Sequence, residues 1–289
     1  MVEQLKKSDS TLMSPVDGLT LTIHSWAPFE GDPEQILVIH PGFGDHAQRY
    51  LNLINGLNDN KTLFVAIDAR GHGKSEGIRG HANSFSDFSQ DLDCLIDHLR
   101  SQYSLLPVTL FGHSMGGAVV LDYVQRDGSQ NKIHVLVVSA PALKIKLTPA
   151  NLLKKIIGEN LARFFPDLII AANLDADAIS SDESVINDYL EDPLVHDKIS
   201  LRLGSELLSI GKKIFRDAEK INLPVYLMHG TEDKIALPSG SEELFVKITS
   251  AEKKLSLYPK LRHECFNEVP AARNEVLAQL KSWLDTYWN

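Results

Sequence analysis

The chain has 289 residues, 43% hydrophobic and 23% charged, with a net charge of −9 and two cysteines, Cys94 and Cys265. That length and apolar content suit one large α/β domain with a substantial core. The acidic balance disfavours recognition of phosphate backbones, so no nucleic-acid partner is expected. Two cysteines exclude a disulfide framework and fit a reducing compartment. Residues 1–8 lack the apolar stretch of a secretory signal, and no uncharged run is long enough to span a bilayer. A cytoplasmic location is expected, with peripheral membrane contact left open.

Asp17-Gly18 separates two strand-like stretches at 11–13 and 19–26, the pattern of a hairpin. Continuous apolar runs follow at 36–39, 63–67, 108–111 and 135–138, as expected of strands buried on both faces of a parallel sheet. Amphipathic segments at 47–57 and 85–99 lie between them. In the second, Phe85, Phe88, Leu92, Leu95, Ile96 and Leu99 recur at helical spacing. From 143 to 222 no strand-like run is visible. Leu152, Leu153, Ile156, Ile157, Leu161, Phe164, Phe165 and Leu168 form a helical stripe there. The α/β rhythm resumes with strands at 224–228 and 254–258 and helices at 241–248 and 272–288. The expected organisation is an α/β core of 1–142 and 223–289, with a helical cap of 143–222 inserted over the carboxyl edge of the sheet.

Between the 108–111 strand and the helix that begins near 117 stands Gly112-His113-Ser114-Met115-Gly116. This G-x-S-x-G pattern on a strand-to-helix turn lifts a serine hydroxyl above the sheet, where a base can activate it. Glycines suit the turn because a Cβ there would strike the neighbouring strand or helix. A serine nucleophile needs a histidine base and an acid, in the chain order Ser, acid, His. The loop after 224–228 offers Asp233, and the loop after 254–258 offers His263. Glu232 is a weaker candidate acid, expected to point away from Asp233. His229 comes too early to be oriented by Asp233, and His113, as a base, would project elsewhere. Two backbone donors are needed for the oxyanion. Met115, after the nucleophile at a helix N-terminus, is one. Phe43, in Pro41-Gly42-Phe43-Gly44-Asp45-His46, is the other.

These pieces, together with Arg49-Tyr50, Asp68-Ala69-Arg70-Gly71-His72-Gly73-Lys74-Ser75-Glu76-Gly77 and His263-Glu264, resemble the monoacylglycerol lipase and lysophospholipase group of α/β-hydrolases, in the serine aminopeptidase S33-like branch. The likeness runs through nearly the whole chain. It implies an α/β-hydrolase fold with a mostly parallel sheet flanked by helices and an inserted cap. It implies Ser114, Asp233 and His263 as a triad, with the Phe43 and Met115 amides as oxyanion hole. Asp45, Arg49 and His113 match positions near the polar glycerol end. The family's usual His-Gly is Pro41-Gly42 here, and its usual Glu is Asp45; both departures bear on glycerol selectivity.

Gly73-Lys74-Ser75 lacks the upstream glycine of a phosphate loop, because Asp68 stands there. It reads as a structural turn in which Asp68 and Arg70 bond across loops. His263-Glu264 does not complete H-E-x-x-H, because Asn267 replaces the second histidine, and no Cys/His cluster has zinc spacing. No metal and no organic cofactor are expected. The resulting expectation is a carboxylic ester hydrolase acting on acylglycerols, foremost as a monoacylglycerol lipase. A lysophospholipase or general carboxylesterase is the alternative, and a non-catalytic ligand-binding protein is the reading from another class. The substrate partner is a small lipid ester. The cap's apolar stripe serves as acyl tunnel, membrane-facing surface or plain core, and Lys144, Lys146, Lys154 and Lys155 beside it would favour anionic headgroups.

Overall fold

A computed structural model describes residues 5–146 and 164–288. The hairpin forms as β1 (Lys6–Met13) and β2 (Thr20–Ala27), antiparallel and joined through Gly18 at φ 77°. Then come β3 (Gln35–His40), a 3-10 turn over Ala47–Tyr50 that runs into α1 (Leu51–Leu57), β4 (Thr62–Ile67) and α2 (Ser86–Gln102). Next are β5 (Val108–His113), α3 (Met115–Val124) and β6 (Val135–Ser139). Two short strands, β7 (Ile169–Ala171) and β8 (Lys198–Ser200), flank α4 (Glu183–Glu191), and α5 (Leu201–Arg216) follows. The chain closes with β9 (Val225–Gly230), α6 (Pro238–Lys247), β10 (Lys253–Tyr258) and α7 (Pro270–Trp288).

Eight strands form one sheet in the order β1-β2-β4-β3-β5-β6-β9-β10. β3, β4, β5, β6, β9 and β10 pair in parallel, and β2 joins β4 antiparallel. The continuous apolar runs serve two faces by alternation. Ile36, Val38, Val65, Leu110, Leu136 and Leu227 pack with α2, α3, α5 and α6 on one side. Leu37, Ile39, Phe64, Phe111, Val137 and Tyr226 pack with α1 and α7 on the other. The chain passes from β3 to β4 in one direction and then crosses to β5 in the other. The crevice at this reversal lies beyond the carboxyl ends of β3 and β5, where open α/β sheets bind ligands.

Among the described residues the 143–222 stretch differs from the sequence reading: β7 and β8 pair there as a small antiparallel sheet, and 164–168, expected in a helical stripe, are not helical. Each has three residues, too short for alternation to register. Of the expected apolar stripe, Leu152 to Leu161 lie outside the described residues, and Phe164, Phe165 and Leu168 are exposed. Helix α5 contributes Leu203, Leu207, Ile210 and Ile214 to the core beside α3. Gln125 Nε2 donates to Ile214 O at 2.9 Å, and Lys213 pairs with Asp122. The Asp68–Ser75 turn is bonded across loops as expected. Asp68 accepts from the Ala47 and Lys74 amides at 2.8 Å, and Arg70 grips Asp91 and Asp17. Among the described residues no helix is long and apolar enough to cross a membrane.

At the elbow, Ser114 sits at φ 54°, ψ −117°, between β5 and α3. A Cβ on Gly116 would fall on the carbonyl oxygens of His40, the last residue of β3, and of Pro41 after it, main chain that cannot easily step aside. Gly116→Ala is therefore expected to destabilise the fold by roughly 3 kcal/mol, the upper part of the overpacking range. A thermal melt at matched conditions checks this; an unchanged Tm would mean that β3 and α3 are less tightly apposed than the structure has them.

Candidate active site

The strand ends bring the predicted residues together. Ser114 and Met115 stand at the β5–α3 elbow, Phe43 and Asp45 on the loop after β3, Asp233 after β9 and His263 after β10. All but Met115 of the candidate triad and oxyanion residues lie in loops at the strand ends, which lets a rigid sheet aim them at one point. Ser114, His263, Phe43, Met115, Asp45, Arg49 and His113 line one cleft of about 610 Å³ that opens to solvent.

Asp233 is buried, whereas Glu232 is exposed. Asp233 Oδ1 accepts the amides of Ile235 and Ala236 at 2.8 and 3.0 Å. Its Oδ2 lies 2.6 Å from His263 Nδ1 and 3.0 Å from His229 Nε2. Burial would raise this carboxyl, but the charges and N–H groups of His263 and His229 overrule it and hold it well below the usual carboxylate range. Burial would likewise depress His263. The Asp233 carboxylate more than offsets that, and the imidazole titrates above its ordinary value. With Nδ1 committed to Asp233, Nε2 is the nitrogen left for proton transfer in the cleft.

Two histidines lie elsewhere than the sequence places them. His229 is fully buried and does contact Asp233, because β9 delivers its ring beneath the loop that returns to Asp233. Its Nε2 also faces Ala236 O at 3.0 Å, and a carbonyl can only accept, so Nε2 carries a proton; Nδ1 meets Ser241 Oγ at 2.8 Å. His113 does not project away. Its ring centroid lies 4.6 Å from that of His263, and its Nδ1 is 3.2 Å from Ser139 Oγ. Burial, reinforced by His263, pushes His113 well below the ordinary imidazole range.

The polar end of the cleft is an ionic cluster. Arg49 donates to both oxygens of Glu264 at 2.9 Å and approaches Asp45 at 3.3 Å. Its guanidinium lies 4.8 Å over the Tyr189 ring. Burial pushes the Asp45 carboxyl up, against the pull of Arg49. Glu264 and Tyr189 carried no site assignment from sequence. Arg49 and Glu264 are 215 residues apart, and no local spacing reports such a pair. The other wall is apolar: Ala142, Ile145, Leu174, Ile179, Leu207 and Ile235. Of the lysines expected near anionic headgroups, Lys144 is paired with Glu243 at 2.9 Å, and Lys154 and Lys155 lie outside the described residues.

Known proteins resemble this chain over most of its length. The family described as serine aminopeptidase, S33 matches residues 31–270. A monoacylglycerol lipase of Mycolicibacterium smegmatis is 31% identical over 270 residues, covering 93% of this chain and 94% of its own. A crystal structure of the Paleococcus ferrophilus monoacylglycerol lipase superposes with TM-score 0.79 at 32% identity, covering 97% and 98% of the two chains. A soluble variant of the Saccharomyces cerevisiae monoglyceride lipase, solved with a substrate analogue, gives TM-score 0.81 at 27% identity and coverages of 99% and 96%. The chain belongs to this serine aminopeptidase S33 family, in the monoacylglycerol lipase group of α/β-hydrolases, and is a carboxylic ester hydrolase.

Proposed function

We propose that the protein hydrolyses monoacylglycerols by two-step acyl transfer. Ser114 attacks the ester carbonyl while His263 Nε2 takes its proton, and Asp233 orients the imidazole and stabilises its charged form. The Phe43 and Met115 amides receive the oxyanion, with the N-terminus of α3 adding its dipole. Protonated His263 then releases the alcohol, and water that it activates cleaves the acyl-enzyme. The segment 143–222 acts as a cap, anchored to the core through α5.

The observation that carries the substrate class is the charge state of the polar end. Among the described lining residues Arg49 is the one permanent cation, and Glu264 and Asp45 already neutralise it. Among the described residues of the cleft no positive charge is left for a phosphate. Hydroxyl groups can still bond to the carboxylate oxygens, while Ile145, Leu174, Ile179 and Leu207 accept an acyl chain. A neutral polyol ester fits both ends, and this favours monoacylglycerol over a lysophospholipid.

Matched-chain monoacylglycerol and lysophosphatidic acid separate the two. At least about tenfold higher kcat/KM is expected for the uncharged substrate, since like charges placed together cost several kcal/mol. Equal rates would point to a general carboxylesterase. Ser114→Ala should abolish hydrolysis and fluorophosphonate labelling with the fold retained; a wild-type chain that takes no label would be a binding protein.

The raised His263 sets a second expectation. The base works only when neutral, so activity is lost as pH falls through its pKa. The acid limb of kcat/KM should therefore centre above the ordinary imidazole value of about 6.5. Asp233→Asn should lower kcat by about ten-thousand-fold and move the limb to lower pH. A wild-type limb centred below that value would contradict the Asp233–His263 pairing as the source of the base.

A further inference from the structure

The loop that carries Phe43 is held from two sides. Beneath it, the Gly42 amide donates to Tyr50 Oη at 3.0 Å, and Tyr50 is fully buried against Phe266. Over it runs the segment between α4 and β8. The His196 amide donates to Gly44 O at 3.0 Å, and His46 Nε2 lies 2.8 Å from Asp192 Oδ2. Gly44 sits at φ 69°, and a Cβ there would fall on the His196 carbonyl oxygen, so the two backbones touch. The Phe43 side chain stands between two imidazoles. Its ring centroid is 5.8 Å from His72 on the core and 5.8 Å from His196 on the overlying segment, at interplanar angles of 79° and 85°. These are edge-to-face contacts, which prefer one geometry over neighbouring ones. The His196 ring is itself fixed, with Nε2 3.1 Å from Gly71 O. The His72 ring is fixed by Nδ1 at 2.9 Å from Arg70 O. Burial pushes both imidazoles down, His72 to about 3, so both face Phe43 uncharged at neutral pH.

None of these groups has a part in the proton transfers above. We propose that His196 is a positioning residue: its ring, with His72, clamps the Phe43 side chain and so fixes where the Phe43 amide points. The overlying segment and the oxyanion pocket are then assembled as one unit. Flanked by two glycines, the peptide of Phe43 has more conformational freedom than most, and the clamp on its side chain is what removes it. The inference rests on the reading of Phe43 as an oxyanion donor.

A group that shapes the oxyanion pocket acts on the transition state more than on the bound ester. With a short p-nitrophenyl ester, His196→Ala should lower kcat by about 10- to 100-fold, the cost of misplacing a donor rather than deleting it. KM should stay within about threefold. The affinity of a boronic acid, whose tetrahedral adduct on Ser114 needs the same pocket, should fall in step with kcat. His196→Phe keeps a ring at 196 and should restore both to within about threefold of wild type. Asp192→Ala leaves both rings present, removes the His46 contact and the bond from the Leu194 amide at 2.8 Å, and should have a smaller effect of the same kind; it keeps the idea testable if His196→Ala does not fold. Unchanged kcat in His196→Ala, a change confined to KM, or no recovery with His196→Phe would overturn the proposal. Ser114→Ala run alongside separates the failures. If that variant still hydrolyses the ester, the serine mechanism itself has failed; if it is dead while His196→Ala is fully active, only the clamp has.

Discussion

A charged carboxylate in a dry place governs this structure. Buried charge costs several kcal/mol unless it is paired and fully hydrogen-bonded. Asp233 meets that demand with the Ile235 and Ala236 amides on one oxygen and His263 and His229 on the other. Each partner fixes a piece of chain. The amides force the loop after β9 to fold back on itself. His229 ties that loop to α6 through Ser241, and His263 ties it to the loop after β10. The two loops touch so closely that a Cβ on Gly230 would fall on the carbonyls of Leu261 and Arg262. Once Asp233 is satisfied in this way, His263 has one orientation left, with Nε2 toward the cleft that Ser114 shares.

The parts of this arrangement that sequence could show are those governed by local rules. Buried parallel strands announce themselves as apolar runs, and every such run from Ile36 to Val225 became a strand of the main sheet. The strained elbow is written in Gly112 and Gly116, because no other residue fits between β3, β5 and α3. The loops that carry Asp233 and His263 followed from strand order. What depends on distant pairing was illegible. His229 seemed too early to meet Asp233 because chain order says nothing of a ring passing under a returning loop. Glu264 was visible only as the neighbour of His263, since its partner Arg49 lies 215 residues away in the chain. The strands β7 and β8, three residues each, are set by what they dock on: Ser200 N reaches Gly80 O, and Leu201 N reaches Leu168 O.

The polar end of the cleft obeys the same rule as Asp233 with a different outcome. Arg49 and Glu264 form a two-bond fork in near-complete burial, a geometry that arginine can make and lysine cannot. Asp45 then adds a second carboxylate, which the shorter side chain keeps close to its own backbone: Oδ1 accepts the His46 amide at 2.7 Å. The Tyr189 ring covers one face of the guanidinium. A cation so fully engaged serves as scaffold for acceptors rather than as a hook for anions, and this is why the reading turns toward neutral alcohols.

The Phe43 loop, which we propose carries an oxyanion donor, poses the opposite problem, too much freedom in place of too much charge. Glycines at 42 and 44 let the backbone approach a substrate, and that permissiveness is an entropic liability in a site that must hold a donor still. The fold answers with supports from unrelated parts of the chain. Tyr50 holds the Gly42 amide from below, Asp68 takes the Ala47 amide at the loop's far end, and His72 and His196 flank Phe43. Three of these belong to the sheet and its loops, and one to the segment laid over them. Rigid contacts on both sides of a short, glycine-flanked peptide leave it one position only while both sides are in place. The precision of this loop is therefore a property of the closed assembly, held jointly by the core and the chain that covers it.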